Sequence, residues 1–140
     1  MIVLDTNVVS EAMRPAPNPA VMAWFKAQAP DTLYLSSVTL AELLFGLASL
    51  AEGRREQRPG QLLDKLLGLF AGRVLAFDQE AARRYAQMAV AARQAGSPLP
   101  MADGYIAATA AANGGAVATR NSRHFADSGV PVIDPWSGPA

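Results

Sequence analysis

Three acidic residues of this sequence stand where carboxylates can do chemistry: Asp5 in Leu4-Asp5-Thr6-Asn7, Glu42 in Thr39-Leu40-Ala41-Glu42 and Asp103 in Ala102-Asp103-Gly104-Tyr105. Their neighbours are apolar, so they are expected to be partly buried, and burying like charges together is costly unless a cation neutralises them. No Lys or Arg adjoins any of them in sequence. A divalent cation is the economical counter-charge. Carboxylates around such an ion are the equipment for phosphodiester hydrolysis, because the ion activates water and stabilises charge on phosphoryl oxygens. Each acid also has a structural reading. Asp5 suits the cap of a following helix, Thr39 to Glu42 has the spacing of a capping box, and Asp103 suits the positive end of a helix.

The rest of the composition removes competing chemistries. The chain has no cysteine and a single histidine, His124, which excludes thiolate nucleophiles, iron–sulfur clusters and multi-histidine metal sites. Oxygen ligation remains, and it favours magnesium or manganese over zinc or copper. No phosphate-cradling Gly-x-x-x-x-Gly-Lys loop, dinucleotide Gly-x-Gly-x-x-Gly or hydrolase Gly-x-Ser-x-Gly elbow occurs. An aspartyl-phosphate enzyme would want a second acid close behind Asp5, where this chain has Asn7. The 12 basic and 12 acidic residues cancel, so contact with nucleic acid would have to come from a local patch.

These acids need a frame. Ile2 to Leu4, Leu33 to Leu35, Val74 to Phe77 and Ala116 to Ala118 are short apolar runs without polar alternation, as expected of strands buried on both faces of a parallel sheet; Val130 to Ile133 is a weaker fifth. Between them, helical patterns cover Pro19 to Gln28, Val38 to Glu52, Pro59 to Ala71, Gln79 to Gln94 and Pro100 to Asn113. In the second, Leu40, Leu43, Leu44, Leu47 and Leu50 predict an inward face. The charged run Ala51 to Pro59 reads as a solvated loop. Alternation of strand and helix predicts an α/β fold with a mainly parallel central sheet and helices on both faces. In such a sheet ligands bind beyond the carboxyl ends of the strands, where all three acids are expected. With 51% hydrophobic and 17% charged residues, one globular domain is expected. An acid after four apolar residues argues against a secretory leader, and no stretch reads as a membrane span, so a cytoplasmic location is expected.

Four ordered motifs resemble the PIN-domain toxin ribonucleases of the VapC family, and most of all their FitB-like branch: Val3-Leu4-Asp5-Thr6-Asn7-Val8-Val9-Ser10-Glu11, Leu35-Ser36-Ser37-Val38-Thr39-Leu40-Ala41-Glu42-Leu43, Ala102-Asp103-Gly104-Tyr105-Ile106-Ala107-Ala108-Thr109-Ala110 and Val117-Ala118-Thr119-Arg120-Asn121. The resemblance spans nearly the whole chain and implies one PIN domain over residues 1–140. It implies a cytoplasmic endoribonuclease dependent on Mg2+ or Mn2+, commonly a homodimer. A small antitoxin would hold it inactive and bind operator DNA through its own domain. Asp5, Glu42 and Asp103 carry over as catalytic, metal-binding acids, with Thr6 and Thr119 as supporting polar groups. The family's fourth acid often falls where this chain has Asn121, and a further common Asp where it has His124, which reads here as a surface or packing residue. Asn121 then either weakens the metal site or hydrogen-bonds Asp5 or Asp103. Arg120, just past a strand end, is placed to contact phosphate. The alternative is a weakly active or inactive PIN-fold binding module that serves with its antitoxin in operator binding and autoregulation.

Overall fold

Ile2–Leu4 forms strand β1, and the computed structural model, which describes residues 1–55 and 57–138, sets it at the centre of the sheet. On one side lie β2 (Leu33–Ser36) and then β3 (Val74–Leu75), on the other β4 (Ala116–Ala118) and then β5 (Val132–Ile133). The order is β3-β2-β1-β4-β5 and every pairing is parallel. Ile2 lies opposite both Leu33 and Ala116.

Successive side chains point to opposite faces of a strand, and this explains the unbroken apolar runs. Val3 and Val117 join Ile106, Ala107, Ala110 and Phe125 in one buried cluster, while Leu4 and Ala118 join Val8, Val9, Leu35 and Phe70 in the other. The first face is covered by α6 (Gln79–Gln94), α7 (Met101–Ala112) and α8 (Ser122–Phe125). The second is covered by α1 (Thr6–Ala12), α2 (Pro19–Ala27) and α5 (Arg58–Leu69). α6 and α7 pack closely because Gly104 has no side chain: a methyl there would stand 2.8 Å from the Tyr85 ring.

Three sequence expectations are corrected. α3 (Ser37–Ala48) stops short of Glu52, and its leucine stripe is only half-buried: Leu40, Leu43, Leu47 and Leu50 keep some exposure and Leu44 is 45% exposed, while Phe45 beside the stripe is 74% exposed. The apolar surface of α3 is wider than the face its neighbours cover. The charged run is not all loop, since Glu52–Arg55 makes one turn, α4; Glu56 lies outside the described residues. The third and fifth strands are two residues each, as edge strands with one partner. Among the described residues no helix is long and apolar enough to cross a membrane.

Candidate active site at the switch point of the sheet

The chain runs outward from β1 to β2 and β3, then returns to β4 on the other side of β1. The order of strands therefore reverses between β1 and β4, and the crevice beyond their carboxyl ends is where open α/β sheets bind ligands. Asp5 immediately follows β1, and Thr119, Arg120 and Asn121 immediately follow β4.

Asp5 is 3% exposed and fully engaged. It caps α1, its Oδ1 accepting the Thr6 amide at 2.8 Å, so the structural reading is also true. Its Oδ2 accepts the Thr119 hydroxyl at 2.7 Å and the Asn7 side-chain amide at 3.2 Å. Thr119 Oγ1 in turn accepts the Asn121 backbone amide at 2.9 Å, and Asn7 Oδ1 accepts that of Arg120 at 3.1 Å. The two strand ends are thus tied through side chains. Asn7 is the residue that sequence reasoning left aside; its signal was the Asp-Thr-Asn order, which puts an amide one turn-step from the carboxylate it must orient.

The other two acids are held more lightly. Glu42 is exposed, and its Oε1 accepts the Thr6 hydroxyl at 2.8 Å. It takes no part in a capping box, because Ser36, not Thr39, caps α3, with its hydroxyl accepting the Thr39 amide at 3.0 Å. Asp103 sits in the first turn of α7 with its side chain 15% exposed, and its Oδ2 stands 2.7 Å from His124 Nδ1. An ionised carboxylate only accepts, so Nδ1 is the donor. His124 is therefore more than a surface residue: the turn of α8 brings it to the acid. The expectation of partly buried acids holds for Asp5, which is buried, and for Asp103, which keeps some exposure; it is corrected for Glu42, which opens to solvent. The Asn121 side chain is exposed and makes no hydrogen bond to Asp5 or Asp103 among the described residues; its backbone amide supplies the link instead. Arg120 lies over the Trp136 ring at 5.1 Å.

Burial pushes the Asp5 carboxyl above the usual carboxylate range; the Thr119 and Thr6 hydrogen bonds pull it partly back, and the Asp103 and Glu42 charges push it up again. This is the electrostatic mark of a place that wants positive charge. The donors are all hard oxygen, which fits magnesium or manganese. Among the described residues no three His, Asp or Glu side chains stand close enough to grip one ion together. Binding one with all three acids calls for Glu42 and Asp103 to close on Asp5, with Glu42 Oε2 and Asp103 Oδ1, the oxygens not engaged by Thr6 and His124, available to the ion.

On the second face of the sheet lies an apolar cavity of about 580 Å³ lined by Leu4, Val9, Met13, Phe25, Leu66 and Phe70, with Lys65 and Arg73 also in its wall; none of the three acids lines it.

The family model described as "PIN domain" matches residues 2–129. The chain is 49% identical to "VapC ribonuclease Y4jK" of Sinorhizobium fredii over 97% of its own length and 98% of that protein. It is 44% identical to "Toxin FitB" of Neisseria gonorrhoeae over 97% and 99%. Among solved structures, a chain of "FitAB bound to IR36 DNA fragment" superposes with a TM-score of 0.92 at 43% identity, covering 97% of this chain and 96% of that one.

Proposed function

The chain belongs to the PIN-domain family, and from that premise we propose that it is a metal-dependent endoribonuclease, the cytoplasmic toxin of a toxin–antitoxin pair. The observation that carries the reading is the buried Asp5 at the switch point, its charge opposed by burial and by two further acids. Asp5, Glu42 and Asp103 would hold Mg2+ or Mn2+. When bound, the ion supplies Lewis acidity to the phosphoryl group and lowers the pKa of water.

The chain's own part is orientation. Thr119, Asn7 and the Thr6 amide fix the lone pairs of Asp5, the Thr6 hydroxyl carries Glu42, and His124 carries Asp103. Stacked on Trp136, the Arg120 guanidinium is held beside the crevice, suited to a phosphate of the substrate backbone. The intact acid set favours the enzyme over a pure binding module.

The apolar cavity supports the partner. An amphipathic segment of a small antitoxin fits a groove of this kind by its apolar face, and an arginine of the same antitoxin would bind the carboxylates bidentately in place of the cation. Contact with operator DNA then runs through the antitoxin, in keeping with the solved FitAB–DNA complex that the chain resembles. Exposed Leu44 and Phe45 on α3 suit a homodimer face.

The test is purified, antitoxin-free protein on total RNA with and without magnesium or manganese, with sequencing of the cut ends. Cleavage that needs the ion and disappears with Asp5→Asn, Glu42→Gln or Asp103→Asn is expected. Wild-type rates in all three variants would sink the reading. Co-expression with the product of the neighbouring small open reading frame should restore growth and yield a stable complex.

A further inference from the structure

Beside His124 lies a second cavity that none of Asp5, Glu42 and Asp103 lines. It holds about 170 Å³ and lies between Ser97, Pro98 and Leu99, on the link from α6 to α7, and Arg123, His124 and Asp127 at α8. His124 borders both places, since its Nδ1 is on Asp103 while the ring lines this cavity. At roughly 30 Å³ per water the space equals about five or six waters. That is the scale of a single planar base, below the ~300–1,000 Å³ of ordinary small-molecule pockets.

Its chemistry is mixed. Arg123 offers donors and Asp127 acceptors, and among the described residues neither side chain makes an ion pair, with the other or with any other group. A guanidinium and a carboxylate that line one small cavity without bonding leave both edges open to a ligand. The carboxylate repels a phosphate, whereas Pro98 and Leu99 supply an apolar wall for the face of a ring. Single-stranded RNA is read in this manner, with splayed bases packed on one face and hydrogen-bonded on their edges.

We propose that this cavity is a subsite for one nucleobase of the RNA strand beside the scissile phosphodiester, and that it selects guanine. Guanine presents O6 and N7 to an arginine fork, the commonest specific arginine contact, and N1–H with its 2-amino group to a carboxylate. Adenine lacks the oxygen for Arg123, and uracil lacks the second donor for Asp127. Cytosine has an amino group for Asp127 but no paired O6 and N7. The inference deepens the ribonuclease reading and rests on it.

Cut ends from one RNA pool are sequenced for the wild type, Arg123→Ala and Asp127→Asn, and 5′-GMP, AMP, CMP and UMP are titrated into the wild type by NMR. The expected result is guanosine enriched at one fixed position beside the cut, with the preference falling about ten-fold in either variant while cutting elsewhere continues. GMP should shift the resonances of residues 97–99 and 123–128 more than the other nucleotides do. Cleavage without a base preference, or with a guanosine preference unchanged in both variants, overturns the subsite. If the wild type cuts no RNA, the ribonuclease reading fails by itself. The GMP titration then decides the cavity alone, and equal or absent shifts overturn it.

Discussion

The two halves of the acid site are built differently. Around Asp5 every partner is fixed: the carboxylate, the Thr119 hydroxyl, the Asn7 side chain and three backbone amides interlock across β1 and β4, and Asp5 and Thr119 are buried. Glu42 and Asp103 come from helices, and each is held by one hydrogen bond near solvent. Strand ends within a parallel sheet cannot shift without breaking their ladders, whereas a side chain in the first turns of a helix can change rotamer. The contrast is one between a rigid acid that marks the place and two adjustable acids that, on the proposed reading, close on it.

The sharpest way to break this contrast is to remove the fixed acid. Asp5→Asn should reduce cleavage on the order of a thousand-fold and abolish the thermal shift that magnesium gives the wild type, a shift worth about 2.7 kcal/mol at 100 times Kd. Its own stability in EDTA should equal or exceed that of the wild type. The sign follows from the raised carboxyl: the folded chain holds the Asp5 proton more tightly than the unfolded chain, with its ordinary value of 3.8. Stability of the ion-free wild type therefore falls as pH rises from that value through the raised one. Melting curves from about pH 4 to about pH 7 should show the variant's advantage widening with pH. A variant that melts lower at every pH would mean that Asp5 is held for structure alone.

Next in size is the clamp across the strands. Thr119→Val keeps the shape and deletes the hydroxyl that serves Asp5 and the Asn121 amide. A loss of about 1–3 kcal/mol in denaturant unfolding is expected, with activity falling roughly 10–100-fold. If stability drops while metal affinity and rate hold, the clamp belongs to the fold and not to the site.

On the loose side the effects should be smaller and free of any cost to folding. His124→Ala should weaken manganese binding, read by titration, about ten-fold with an unchanged melting temperature in EDTA. His124→Asn, whose amide N–H can replace Nδ1–H, should recover most of the affinity. Equal affinity in all three proteins would show that Asp103 needs no positioning.

The smallest change is expected at Asn121→Asp. The side chain is exposed and unbonded to the acids, so an added charge there acts through solvent and should improve magnesium affinity only a few-fold. A gain of a hundred-fold in a magnesium series would move this residue into the rigid half.

How far the sequence alone carried this picture depends on the kind of interaction. The strands of the core and the placing of Asp5 at a strand end were legible, because unbroken apolar runs have one reading in a doubly covered sheet. The exposure of Phe45 was not, since helical periodicity shows that a face is apolar without showing how much of it a neighbour covers. The cap of α3 went to Thr39 instead of Ser36 because both residues can cap and only backbone angles choose between them. His124 read as a surface or packing residue because its bond to Asp103 spans 21 residues and exists only through the short turn of α8.

The central position of β1 also sets a timetable. During synthesis Asp5 precedes the hydroxyl that aligns it, on Thr119, by 114 positions. Closing a loop of that length costs about 4 kcal/mol of chain entropy by the logarithmic rule, and nothing repays it until β4 slides in beside β1. A nascent chain of this protein thus carries Asp5 through the synthesis of every residue between the two strands before the cradle that aligns it can assemble.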